Sequence, residues 1–220
     1  PEWFIADVGT ILAGAIPAGI YTSNLREASM YIAGHSKAEV IVVEDNSQLK
    51  KFIESKEALP HLKCLVIWAE HPDASVAQKC SVPVYFWDQF LEMGAAVPDS
   101  ALEDRATAMK PGHCSTLIYT SGTTGPPKAV MISHDNLTWT IATFCDTFIT
   151  AAHTDRIVSY LPLSHVAGQL VDIYYPMYVG ACSYFAQPDA LKGSLVNSLK
   201  DVRPTLFFGV PRVWEKMMEK

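Results

Sequence analysis

Residues 115–134 read STLIYTSGTTGPPKAVMISH, and the fold class turns on this stretch. STLIYTSG (115–122) is a β-rich run entering a polar loop, and AVMISH (129–134) is a second run leaving it. Between them, residues 121–125 stack five backbone N–H groups with the hydroxyls of Ser121, Thr123 and Thr124. Gly122 and Gly125 permit positive φ and close approach of a ligand to the backbone. Successive exposed N–H groups in such a turn form an anion-binding nest. Pro126 and Pro127 donate nothing, but they fix φ and stiffen the exit. That aims Lys128 back across the loop as a point charge suited to phosphate. A Walker A loop does not fit, because two prolines separate Gly125 from Lys128 and Ala129 stands where the Ser/Thr should be. The bland alternative is a polar hairpin turn, which leaves four Ser/Thr hydroxyls, two glycines, two prolines and a lysine in ten residues to chance.

Working outward, helical and β-branched segments alternate. Helices are expected over 2–13, 25–34 and 47–55, and through DQFLEMGAAV (88–97) up to Pro98. Strands are expected at AIPAGIY (15–21), VIVVED (40–45), LKCLVIWA (62–69) and VPVYFW (82–87). Downstream of the loop, His134-Asp135-Asn136 offers an N-cap for a helix over 137–148. Strand RIVSYLPL, a helix from about His165, strand ACSYFAQ, helix LKGSLVNSLKDV, strand TLFFGV and a helix from Pro211 follow. Alternation of this kind implies βαβ units with buried, largely parallel sheets. The softest joint is 96–112, where charge and prolines mix.

Composition bounds the function. With 220 residues, 49% apolar and 18% charged, the chain is a globular α/β core of one large or two small domains. A net charge of −6 points to no nucleic-acid partner. The last thirty residues hold six Lys/Arg against three Asp/Glu, a bias read as a solvated helix face. Five widely spaced cysteines without a CxxC pair read as buried thiols of a reducing compartment. Seven histidines do not cluster with them, which argues against a metal held by protein ligands alone. The most membrane-like run, residues 8–21, is fourteen residues long and broken by glycines and Pro17. A spanning helix needs about 20. The chain opens without methionine and stops inside VWEKMMEK, so it reads as a portion of a longer protein.

At Tyr119 to Lys128 the sequence resembles the adenylate-forming superfamily, whose phosphate-loop signature is close to [YF]TSGTTGxPKG; Ala129 stands where that family usually has Gly. SYLPLSHVAGQ (159–169), YFAQPDALKGSLVNSLKDVRPT (184–205) and FFGVPRVWEKM (207–217) resemble long-chain acyl-CoA synthetases, most of all the bubblegum type. The resemblance covers essentially the whole chain. It implies part of an N-terminal AMP-binding domain with a layered αβαβα fold, the rest of that domain and a C-terminal lid lying elsewhere. It implies activation of a long-chain fatty acid by MgATP to acyl-AMP, followed by displacement of AMP by coenzyme A.

By carry-over, Thr120, Ser121, Gly122, Thr123, Thr124, Gly125, Pro126, Pro127 and Lys128 hold the β- and γ-phosphates, and the Thr120 hydroxyl approaches Mg²⁺. Thr120 and Lys128 are the catalytic candidates. His165, Gln169 and Arg212 are the acyl-side candidates, Gln169 standing where some relatives carry a tryptophan gate. His165 reads equally as a histidine hydrogen-bonded within a strand-to-helix turn, and Arg212 as an exposed helix start. Tyr174, Tyr175, Tyr178, Tyr184 and Phe185 either line an apolar tunnel or fill a core, and Glu44 and Asp45 end a strand facing solvent. The adenine, ribose and catalytic-lysine elements cannot be assigned, so the 220 residues alone are expected to be inactive. A cytoplasmic enzyme, peripheral at most to the endoplasmic reticulum membrane, is implied. Alternatives are a ligase for aryl or medium-chain acids and a non-catalytic nucleotide- or acyl-binding protein.

Overall fold

A computed structural model describes residues 1–55, 57–120, 126–149 without Ile149, and 150–219, the side chain of Phe148 excepted. The chain divides into two compact units, Glu2–Ile132 and Ser133–Lys220.

In the first unit, α1 (Glu2–Leu12), β1 (Ala18–Gly19), α2 (Arg26–His35), β2 (Val40–Val43), α3 (Asn46–Leu49), β3 (Cys64–Ile67), α4 (Ala74–Ala77), β4 (Val84–Phe86), α5 (Trp87–Gly94), α6 (Asp99–Ala108), β5 (Cys114–Thr120) and β6 (Lys128–Ser133) follow in order. β2, β3 and β4 form one parallel sheet, with Val40 opposite Cys64 and Ile67 opposite Phe86. β3 is central, which is why CLVI is an unbroken apolar run: all four residues are buried. Ala33 from α2 and Leu49 and Phe52 from the turn after β2 close the core around it. The expected helix over 47–55 stops early, as α3 gives way to a 3₁₀ turn over Lys50–Phe52. Asp45 is half-buried. Its Oδ1 accepts from Gln48 N at 2.8 Å and caps α3, a role worth about 1 kcal/mol. The second sheet runs β1-β5-β6, with β1 and β5 parallel and Ala18 opposite Leu117.

In the second unit, α7 (His134–Phe148), β7 (Arg156–Ser159), α8 (Val166–Gly168), a π-helical turn (Gln169–Tyr174), α9 (Tyr175–Val179), β8 (Cys182–Phe185), α10 (Leu195–Val202) and α11 (Pro211–Met218) follow. β7 and β8 pair in parallel from Arg156–Cys182 to Ser159–Phe185.

Four expectations are corrected. The 96–112 joint is largely the helix α6, and the division between units falls after Ile132 instead. The cap of α7 is not the His134-Asp135-Asn136 triplet alone. Ser133 N donates to Asn136 Oδ1 and Asn136 N donates to Ser133 Oγ, both at 3.1 Å, so the helix starts three residues earlier than 137. TLFFGV is not a strand beyond a single bridge from Leu206 to Ile157. Arg203, just before it, has φ 50°, and Thr205 N and Leu206 N both donate to Arg156 O, so the segment meets β7 at its first residues without extending into a ladder. The five thiols are free, but Cys182 is exposed and not buried. Among the described residues no helix is long and apolar enough to cross a membrane.

Candidate functional site

β5 and β6 are hydrogen-bonded neighbours, and the connection at 121–127 joins the end of one to the start of the other. Thr120 closes β5 and Lys128 opens β6, and both are exposed. The stems therefore present one hydroxyl and one ammonium group at the two ends of the loop, free to meet an anion. Pro126 is exposed and Pro127 half-buried. Ser121, Gly122, Thr123, Thr124 and Gly125, the sequence's nest, lie outside the described residues.

The stem is anchored just before Thr120. Tyr119 is 5% exposed, and its hydroxyl lies 2.8 Å from His35 Nδ1 at the end of α2. The His35 ring stands edge-on to Tyr119 and stacks on Tyr31, one helical turn back. Burial, and then Tyr31, push the Tyr119 phenol up from its ordinary value, so it remains a neutral hydroxyl. Sequence reasoning missed His35. The available signal was Tyr31 and His35 at i, i+4, a pair that shares one helix face.

In the second unit, a cleft of about 210 Å³ opens where β7 and β8 end, with Ser159, Tyr160, Leu161, Leu163, Phe185 and Leu191 in its wall. Ligands in parallel α/β sheets bind beyond the carboxyl ends of strands. Ala186 N donates to Ser159 O at 2.9 Å and holds those ends together. The volume is below the roughly 300–1,000 Å³ of a complete small-molecule site, so the cleft is one part of a site. Gly168 fixes its rim: a Cβ there would lie 2.7 Å from Pro162 O and 3.4 Å from Leu163 Cα.

The three acyl-side candidates are not brought together in this wall. His165 is exposed and caps α8, its Nδ1 accepting from Ala167 N at 3.1 Å, which leaves the ring proton on Nε2. Gln169 is fully buried, with neither side-chain polar atom paired. Arg212 is exposed in the first turn of α11. The aromatic run does not line one tunnel. Phe185 reaches the cleft, Tyr178 is 57% exposed, and Tyr175 is a core residue whose hydroxyl donates to Asp155. β8 and α9 turn these side chains in different directions, so neighbours in sequence part company. Among the described residues no group of three His, Cys, Asp or Glu side chains is placed to hold a metal.

The fold and these features define a parallel α/β protein with a strand–loop–strand stem in one unit and a cleft at strand ends in the other. The AMP-binding enzyme family model matches residues 1–220, and the chain belongs to that family. Among curated relatives, it is 51% identical over 222 residues to the long-chain-fatty-acid–CoA ligase ACSBG2 of Xenopus laevis, covering 100% of this chain and 29% of the relative. It is 47% identical over 223 residues to the long-chain-fatty-acid–CoA ligase ACSBG1 of Homo sapiens, covering 100% and 30%. The chain thus spans about three tenths of the length of these relatives. Among solved structures, the A domain of the carboxylic acid reductase from Segniliparus rugosus, in complex with AMP and a co-purified carboxylic acid, matches with TM-score 0.78 at 22% identity, over 98% of this chain and 36% of that one. The anthranilate CoA ligase AuaEII in complex with anthranoyl-AMP matches with TM-score 0.73 at 22% identity, over 94% and 38%. At that identity the likeness is one of fold.

Proposed function

We propose that the protein carrying this chain is an AMP-forming long-chain fatty acid–CoA ligase, and that this segment supplies its phosphate loop and part of its acyl wall. The observation that carries the reading is the match of the entire chain to relatives named as such ligases. The exposed Thr120 and Lys128 at the two ends of the loop support it.

The chemistry sets the demand. A fatty carboxylate must approach the α-phosphate of ATP, and two unit charges 4 Å apart repel by about 4 kcal/mol at an effective dielectric of 20. Lys128 offsets that repulsion as a mobile point charge. Thr120 and the 121–125 amides orient the outer phosphates, where charge gathers as pyrophosphate departs. Mg²⁺ favours oxygen donors, retains waters and binds mainly through substrate phosphates. One hydroxyl at Thr120 and no protein cage among the described residues suit such a phosphate-borne ion. When bound, the ion supplies charge neutralisation. The acid's chain lies in the cleft beyond β7 and β8, and coenzyme A then displaces AMP. His165, Gln169 and Arg212 are carried in this reading as the substrate-binding candidates on the acyl side. A cytoplasmic enzyme that meets its substrate at the membrane surface follows from an acid that partitions into bilayers.

Pyrophosphate release by the protein carrying this chain, across acids of different length, tests the reading. Turnover of C16–C18 acids is expected. Turnover of aryl acids alone, or nucleotide binding without turnover, overturns it.

A further inference from the structure

Tyr160 follows β7 directly and borders the cleft together with Ala186 and Ala190. Tyr160 and Ala186 pack against the apolar cluster of Val158, Ala190 and Leu195, and so do Phe207, Val213 and Met217. The cleft wall is therefore continuous with the segment that leads into α11.

That segment grips one side chain of the wall. The Tyr160 hydroxyl donates to Phe208 O at 2.9 Å. The Tyr160 ring stacks on Phe207, with centroids 5.5 Å apart and planes 20° apart. Phe207 in turn stands edge-on to Trp214 at 5.2 Å, and Trp214 Nε1 donates to Gly209 O at 2.9 Å. Stacked and edge-to-face pairs at these separations are the arrangements that aromatic quadrupoles favour. Gly209 permits the last contact: a Cβ there would lie 2.7 Å from Trp214 Nε1 and 3.2 Å from Phe207 Cε1. Residues 207–214 thus form a latch on Tyr160. The core does not require it, since α11 buries no residue and Trp214 is 46% exposed.

We propose that Tyr160 is a specificity-determining residue of the acid site, held by this latch so that its ring limits the cross-section open to the acyl chain. This rests on the reading of the cleft as the acid's site and deepens it. An untethered tyrosine changes rotamer and swings aside for a wide substrate. Held at both ring face and hydroxyl, Tyr160 yields only by giving up a stack and a hydrogen bond together. Of the two aromatic side chains in the wall, it is the one with a hydroxyl to tether its ring. A straight saturated chain passes such a ring, whereas methyl branches meet it. Trp214 does not border the cleft and is a positioning residue, acting through Phe207 and Tyr160.

The test measures kcat/KM for hexadecanoic acid and for a tetramethyl-branched hexadecanoic acid, with the KM for ATP, in the protein carrying this chain. The natural protein is expected to favour the straight acid. In Tyr160→Leu the branched-to-straight ratio rises by roughly 10-fold, the effect of about one methylene's room in an apolar pocket. Tyr160→Phe keeps the ring and loses the tether, raising the ratio by about 3-fold, the lower end of what one hydrogen bond holds. Trp214→Leu raises it by about 3-fold alone and not at all in the Tyr160→Leu background, because its effect passes through that ring. The ATP KM stays within about two-fold in every variant, as expected of independent sites.

Equal turnover of the two acids by the natural protein, or an unaltered ratio in Tyr160→Leu, overturns the role of Tyr160. An unaltered ratio in Tyr160→Phe overturns the tether, and a Trp214→Leu effect that persists in Tyr160→Leu overturns the latch. If Tyr160→Leu does not fold, Tyr160→Phe carries the test, and a parallel loss with both acids and ATP in that variant overturns the proposal. Equilibrium binding of hexadecanoic acid without ATP separates the two levels. No binding overturns the acid-site reading and the proposal with it, whereas binding with an unaltered ratio in Tyr160→Leu overturns only the role of Tyr160.

Discussion

The Tyr119 hydroxyl and His35 Nδ1 share a hydrogen bond of 2.8 Å, which ties the last buried side chain before Thr120 to the carboxyl end of α2. Tyr119→Phe removes that link and little else. A net loss of about 1 kcal/mol is expected in urea denaturation, because the exposed His35 regains water. The ATP KM should rise a few-fold as the stem loosens, while the acid KM holds. An unchanged ATP KM in Tyr119→Phe would separate this anchor from the loop it precedes.

Lys128 offers a sharper test of the nucleotide reading. Its side chain is exposed, so Lys128→Met should alter stability by no more than about 0.5 kcal/mol. A charge-assisted contact to phosphate is worth about 1.5–3 kcal/mol, which predicts an ATP–pyrophosphate exchange rate lower by roughly 10- to 100-fold. Exchange at the natural rate in a folded Lys128→Met protein would remove the lysine from the reaction.

How far the sequence carried can be judged residue by residue. β2 and β3 were legible because strands buried on both faces keep apolar side chains in unbroken runs, as VIVV and CLVI do. The loop stems were legible because Gly, Pro and hydroxyl residues impose local geometry of their own. Residues 205–210 were not, since their apolar pattern fits a strand although they meet β7 only through the bridge from Leu206 to Ile157. The helix over Asp99–Ala108 was hidden by charge on a surface segment that buries no residue. The role of Gly168 leaves no local signal, because its close approach to the Pro162 carbonyl is made through space alone.

Gly168 makes that last point measurable. It has an ordinary helical backbone, so Ala costs nothing in φ. The obstacle is the 2.7 Å approach of the added Cβ to the Pro162 carbonyl, a rigid neighbour. Gly168→Ala should lose roughly 1–3 kcal/mol in denaturation, typical of overpacking, and shift the Leu161–Leu163 rim. The acid KM should rise more than the ATP KM. Full stability in Gly168→Ala would show that the rim yields freely.

Asp155 is predicted to govern acid sensitivity of the second unit. Its Oδ1 accepts from Thr205 Oγ1 and its Oδ2 from the Tyr175 hydroxyl, both at 2.6 Å, and Ala152 N donates to Oδ2 at 2.9 Å. The bonds from Thr205 and then Tyr175 hold its carboxyl below the ordinary range. A depressed folded-state value stabilises the protein above the unfolded value near 4, and the gain is lost as pH falls through the folded value. Asp155→Ala should therefore cost about 2 kcal/mol from pH 5 to 8, with the gap closing below about pH 4. A gap that stayed constant down to pH 3 would contradict the assignment.

Asp7 should show the opposite sign. It lies in α1 at 4% exposure with both carboxyl oxygens unpaired, and burial pushes it up to about 7. Because the folded-state value lies above the unfolded one near 4, the folded chain holds the extra proton between those limits. Stability therefore falls as pH rises from about 4 to 7 and levels off above that. At about 1.4 kcal/mol per unit, the accumulated cost approaches roughly 3–4 kcal/mol, less whatever water reaches the site. Asp7→Asn keeps the shape and cannot ionise. Relative to the natural chain it should be about 2–4 kcal/mol more stable at pH 8 and nearly equal at pH 4, read from urea midpoints at both values. If the two chains track each other across that range, Asp7 is hydrated in solution and the packing of α1 is looser than described.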